Sequence, residues 1–116
     1  MHALSGYLEF PPDQRELTLD ALRDVCDRSR RDPGCVAYWW AEDVEHPNRF
    51  RFFECWATVE DFDAHQAQPY EKAFMAEHVS RITGATPTYG TSPGDARPSR
   101  DESMTRTPAA STAARR

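Results

Sequence analysis

Two runs of bulky side chains on either side of one sharp turn constrain this chain more than any other feature. Cys35 to Glu42 reads CVAYWWAE, Arg49 to Ala57 reads RFRFFECWA, and DVEHPN lies between them. Aromatic and β-branched residues at this density favour extended backbone, and Pro47–Asn48 is a strong turn signal, so an antiparallel hairpin is expected. Side chains alternate along a strand. Val36, Tyr38 and Trp40 should then share one face of the first strand, with Cys35, Ala37, Trp39 and Ala41 on the other. In the second strand Phe50, Phe52, Glu54 and Trp56 oppose Arg51, Phe53 and Cys55. Large apolar groups on both faces imply that both are covered, one by helices and the other by a second copy of the chain. Glu54 sits among three aromatics and needs a partner, because an unpaired buried carboxylate is costly. An Arg or backbone donors near the dimer core are the expected partners.

The flanking sequence supplies the rest of the domain. Leu4 to Phe10 suits a first strand, in which Gly6 marks a close approach of another group, and Pro11–Pro12 ends it. Asp13 and Glu16 resemble a capping box. Beyond them Leu17, Ala21, Leu22, Val25, Cys26 and Ser29 fall on one helical face, until Asp32-Pro33-Gly34 stops the helix. Thr58 is an expected N-cap with Glu60 and Asp61 behind it, and Val59, Phe62 and His65 share a face. Pro69 opens a further helical piece in which Tyr70, Ala73, Phe74, Glu77 and His78 line up, and Ala85 to Gly90 is a short last strand. The order βαββαβ predicts an α+β, ferredoxin-like sandwich: a four-stranded antiparallel sheet with helices on one face, dimerising through the other.

Charge and composition exclude several function classes. From Thr91 onward there is no aromatic residue, and residues 91–116 are expected to form a disordered tail behind a domain spanning 1–90. Residues 1–90 carry sixteen acids against nine bases, so nucleic acid is not an expected partner. No apolar run is long enough to span a membrane and no signal peptide is evident, which predicts a cytoplasmic protein. The three cysteines form no CxxC pair, and His65 and His78 lack metal-ligand spacing, so neither a metal nor another cofactor is expected.

Taken in order and spacing, PGCVAYWW, the HPNRFRFFECW hairpin and DFDAHQAQPYEKAF resemble the antibiotic biosynthesis monooxygenase (ABM) domain over about residues 5–90. That resemblance implies a dimeric α/β barrel with a ligand cavity between sheet and helices, and an activity among cofactor-independent oxygenases of quinols and polyketide anthrones. Trp56 stands where the polyketide oxygenases also have a Trp, whereas Phe52 and Phe62 stand where that branch has an Asn and a Tyr. His65 matches the quinol-oxygenase-like branch, which often has a second His at the position of Tyr70. The Trp and His that haem-degrading relatives place near His65 and Met75 are not reproduced here.

A deprotonated quinol or anthrone is electron-rich enough to reduce dioxygen itself, so the protein need only remove a proton, hold the ring and exclude water. His65 and Glu54 are the candidate catalytic groups, since imidazole suits proton transfer near neutral pH and desolvation makes a carboxylate more basic. Tyr38, Trp40, Trp56, Phe52, Phe62, Tyr70 and Phe74 are the candidate substrate-binding residues, with Trp39 a further stacking candidate. Each also has a plain structural role in packing or in the dimer interface, and Arg49 and Arg51 read as solvent-facing or as anion holders. Two further functions remain open at this stage: a polyketide cyclase or isomerase that uses the same base without oxygen, and a non-catalytic small-molecule-binding accessory protein.

Overall fold

The computed structural model describes residues 1–86 and 89–91, the last three by their backbone. The expected tail therefore lies, but for Thr91, outside the described residues. Strand β1 (His2–Glu9) leads through a 3-10 turn (Pro12–Gln14) into helix α1 (Arg15–Arg30). The hairpin follows as β2 (Cys35–Glu42) and β3 (Arg49–Trp56), then α2 (Val59–Gln66) and α3 (Pro69–His78). A second 3-10 turn (Val79–Arg81) leads to the short strands β4 (Gly84–Ala85) and β5 (Tyr89–Thr91). The sheet runs β2-β3-β1-β4 with every pairing antiparallel, and β5 pairs with the opposite end of β1 from β4, so both extend along the same edge of it.

The hairpin turn closes with Asn48 in the left-handed region (φ 70°), a conformation Asn tolerates better than most residues. Asp43 N–H donates to Arg49 O at 2.8 Å, and Asn48 N–H to Glu42 Oε2 at 3.1 Å. One residue departs from plain alternation. Cys35 pairs with Trp56 and Ala37 with Cys55, leaving Val36 as the extra residue of a bulge and 55% exposed. The bulge turns Cys35 onto the core beside Tyr38 and Trp40, reversing the expected faces of Cys35 and Val36. Gly6 does mark a close approach, since a Cβ there would meet Thr86 Oγ1 at 2.9 Å and the Phe52 ring at 3.0 Å.

Two helix starts behave differently. Thr58 caps α2 as its sequence predicts, its hydroxyl accepting from Asp61 N–H at 3.0 Å. The expected cap at Asp13 does not form: Pro12 sets up a 3-10 turn, and the residue preceding α1, Gln14, gives its side-chain oxygen to Arg81 Nε (2.7 Å) instead. The same guanidinium donates to Thr18 Oγ1 (2.6 Å), so Thr18 is buried and Leu17, the expected first core residue, is 49% exposed. The rest of that face, Leu22, Val25, Cys26 and Ser29, packs on Phe10, Tyr38, Phe50 and Trp56 as the main core. In α3 the buried line is Glu71 and His78 with Phe74 half-buried between them, while the expected Ala73 and Glu77 point outward.

On the far face of the sheet no helix of the described residues covers the surface. Trp39, 44% exposed, lies against Phe53 with ring centroids 5.9 Å apart. Arg49 and Arg51 flank the Tyr7 ring at 4.0 and 5.4 Å and pair with Glu9 and Asp43, each at 2.7 Å. Among the described residues no helix is long and apolar enough to cross a membrane.

Candidate active site

The register of the hairpin decides what meets inside the domain. Ala57 N–H donates to Gly34 O at 2.7 Å, tying the turn after α1 to the start of α2. Gly34 has φ +82°, and the Asp61 side chain occupies the space where a Cβ would stand, so only glycine fits this junction. Asp32, two residues earlier, is thereby brought against the inner side of α2, where His65 projects. The β3 residues Glu54 and Trp56, the β2 residue Tyr38, and Tyr70 and Glu71 of α3 close around the same ring.

His65 is 1% exposed and lies almost parallel on Trp56, with centroids 4.5 Å apart and planes at 27°. Tyr38 meets it edge-on at 5.7 Å. Its Nδ1 is 3.0 Å from Asp32 Oδ2 and 3.1 Å from the Tyr70 hydroxyl. Tyr70 O–H donates to the same Oδ2 at 2.6 Å, and Gln68 Nε2 donates to Oδ1 at 3.1 Å. Placing the ring hydrogen on Nδ1 gives the Asp32 carboxyl a third donor. That tautomer, the one this geometry favours for a neutral ring, leaves the lone pair on Nε2. Nε2 faces Glu71 Oε1 at 3.8 Å and Glu54 Oε1 at 4.0 Å.

The electrostatics follow from this enclosure. Burial pushes the Glu54 carboxyl above the usual range, partly opposed by the Trp56 indole N–H it accepts at 2.9 Å and by His65 and His2. Burial also raises Glu71, with Glu54 and Asp32 adding to the shift and His65 opposing it. The Tyr38 and Tyr70 phenols are both pushed well up by burial, Tyr70 also by its hydrogen bond to Asp32, so both stay protonated. The arrangement therefore sets two carboxyls of raised proton affinity, Glu54 and Glu71, opposite one buried imidazole nitrogen.

The candidate residues divide. His65, Glu54, Trp56, Tyr38 and Tyr70 come together in one cluster. Glu54 is paired with an indole, not with the Arg or backbone donors expected, and it lies on the helix side of the sheet, away from the outer face. Trp40 and Phe52 pack on each other at 5.0 Å beside the cluster, and Trp40 Nε1–H donates to the Tyr38 hydroxyl at 3.3 Å. Phe62 carries the His2 ring at 4.8 Å, and Phe74 packs on His78 at 5.0 Å, one turn of α3 away. Arg49, Arg51 and Trp39 are on the other face. A separate cavity of about 260 Å³ lies between α1 and the edge strand, lined by Leu19, Leu22, Cys26, Arg30, Trp40 and Phe50 among others, and neither His65 nor Glu54 reaches it. No group of three or more potential metal ligands is present among the described residues. Asp32 and Glu71 were not legible as site residues, the first because it reads as a helix terminator and the second because its neighbours Tyr70 and Phe74 dominate the local pattern.

The family model for antibiotic biosynthesis monooxygenase matches residues 1–77, taking in the whole cluster. The chain belongs to the antibiotic biosynthesis monooxygenase family. Solved structures share the ABM fold at low identity. A candidate antibiotic biosynthesis monooxygenase from Deinococcus radiodurans superposes with a TM-score of 0.73 at 20% identity, covering 84% of this chain and 96% of that one. Rv0793 from Mycobacterium tuberculosis gives 0.71 at 20%, covering 81% and 95%. A conserved protein from Methanosarcina mazei gives 0.72 at 13%, covering 78% and 90%. In sequence, the protein sll1783 of Synechocystis is 32% identical over 72 residues, 62% of this ABM chain. The chain spans about half (49%) of the length of that curated relative.

Proposed function

We propose that this protein is a cofactor-independent monooxygenase that oxidises an aromatic quinol or a polyketide-derived anthrone with dioxygen. The observation that carries the reading is the buried face-to-face placement of Glu54 and His65, with Asp32 behind the imidazole. Glu54 is the proton acceptor and His65 supports it, because the Glu54 side chain is 11% exposed and that of His65 only 1%. Burial makes the Glu54 carboxylate a stronger base than one in water.

For an anthrone, Glu54 takes one proton from the ring methylene, and the carbanion passes an electron to dioxygen. The radical pair combines to a peroxide, which recovers the proton from Glu54 as a hydroperoxide. Loss of water then leaves the carbonyl, with one oxygen atom in the product and the other in water. Trp40, Phe52, Phe62 and Phe74 offer flat apolar surface to hold such a ring and keep water from the carbanion. Oxygen uptake over a panel of anthrones and hydroquinones tests this. Glu54→Gln and His65→Ala should each lower the rate about 100-fold or more, the usual contribution of a positioned general base. Compounds that bind and turn over without oxygen would instead support a cyclase or isomerase.

Two copies meet, in the same reading, through the uncovered sheet face, where Trp39 is half-exposed on Phe53. Trp39→Arg should convert the dimer to a monomer in sedimentation; an unchanged sedimentation coefficient would rule this face out. Substrate access from the cytoplasm belongs to the same proposal.

A further inference from the structure

Four buried side-chain atoms lack a hydrogen-bond partner among the described residues: His2 Nδ1, Asn48 Oδ1, His65 Nε2 and Glu71 Oε1. Two of the four, His65 Nε2 and Glu71 Oε1, face one another at 3.8 Å. Because Nδ1–H is committed to Asp32, Nε2 of a neutral ring presents a lone pair. A lone pair opposite two carboxylate oxygens, in an interior where electrostatic forces are little screened, is repulsive. One proton between Nε2 and a carboxyl turns that repulsion into a charge-assisted hydrogen bond, and closing 3.8 Å to bonding distance needs only a small side-chain rotation.

The geometry points to which carboxyl shares it. Glu54 Oε1 already accepts the Trp56 indole N–H, whereas Glu71 Oε1 accepts nothing. We propose that Glu71 is a positioning residue that shares one proton with His65 Nε2, so that the buried chain Asp32–His65–Glu71 holds a proton at neutral pH and Glu54 is the carboxylate left ionised. The groups around this proton are Asp32 after α1, Tyr38 from β2, Glu54 from β3 and Tyr70 from α3, with His2 of β1 acting on Glu54. Arg28 of α1 lies over the Tyr70 ring at 5.9 Å. Burial and the nearby Asp32 and Glu54 carboxylates favour the protonated form of Glu71. Only the use made of Glu54 rests on the oxygenase reading; the shared proton does not.

The test is ¹⁵N NMR of the His65 ring in the full chain, with no substrate, from about pH 5 to 9, the range in which imidazoles ordinarily titrate. In the wild type the Nε2 signal should stay displaced toward a protonated nitrogen through neutral pH. In Glu71→Gln the Nε2 signal should move to the bare-nitrogen position, and Glu77→Gln, on the solvent side of α3, should leave it in place. A wild-type Nε2 that is a bare ring nitrogen across the whole range overturns the proposal, and this measurement stands even if Glu71→Gln does not fold. An Nε2 signal identical in wild type and Glu71→Gln overturns it as well. Oxygen uptake without a shared proton would leave the oxygenase reading standing alone, and a shared proton without oxygen uptake would do the reverse.

Discussion

His65 and His78 are both buried, both lie in the last turn of a helix, and both touch an aromatic ring, yet their surroundings are opposite. His65 faces three carboxyls, Asp32, Glu54 and Glu71. His78 faces a guanidinium: Arg81 NH1 donates to its Nδ1, while the same side chain reaches Gln14 and Thr18 and covers the Phe10 ring. A neutral imidazole is required there, because a protonated ring could not accept from Arg81, and burial holds the His78 pKa below the ordinary value, with Arg81 adding to the effect and Glu77 opposing it. The pair shows that burial alone does not decide what surrounds a histidine. Carboxyls enclose His65; the guanidinium makes His78 part of a clasp joining the end of α3 to the start of α1.

The first way to break this contrast is to remove the charged partner on each side. Asp32→Ala should cost about 3 kcal/mol in urea unfolding, because it strips a buried imidazole and two further donors of their anion. Arg81→Ala should cost about 1.5 kcal/mol, since it leaves only neutral partners behind. Equal losses would mean that the two histidines are held alike.

A smaller effect, and a sharper one, lies in the pH dependence. Glu54 and Glu71 have raised pKa values in the folded chain, so the folded state binds more protons than the unfolded state above the ordinary carboxyl pKa. Their contribution is present in full below that value and is lost as pH rises through the folded values. His78 has the opposite linkage. Its lowered pKa means that the unfolded chain binds the extra proton, so this contribution is lost as pH falls below the imidazole range. Thermal unfolding measured across pH should thus show Glu71→Gln lessening the decline on the alkaline side of the carboxyl range, with the Glu54 share left. His78→Asn should remove a decline on the acid side of the imidazole range. A wild-type profile flat in both windows would contradict both assignments.

Much of the fold could be read from residue order because its signals are local. The bulky runs of β2 and β3, the Thr58 cap and the Pro69 helix start depend on neighbours within a few positions. The departures came from distant contacts. Arg81 draws Thr18 inward and leaves Leu17 off the expected core face, and the Val36 bulge reverses two side chains that strict alternation assigns. The site was half legible for the same reason. His65, Glu54, Trp56, Tyr38 and Tyr70 stand out by residue type in an apolar pattern. Asp32 and Glu71 become meaningful only when the Gly34–Ala57 contact sets the turn against α2, which no local pattern encodes.

That dependence has a kinetic side. The Asp32 carboxylate meets Tyr70 across 38 residues of chain and His65 across 33, and the ring is stacked on a strand that must first find its own partners. Contacts this far apart in sequence form late, after the entropy of closing the intervening loops has been overcome. A nascent or partly opened chain therefore has the individual side chains but none of the enclosure that shifts their proton affinities. That enclosure is confined to the finished domain, and an incomplete fold lacks it.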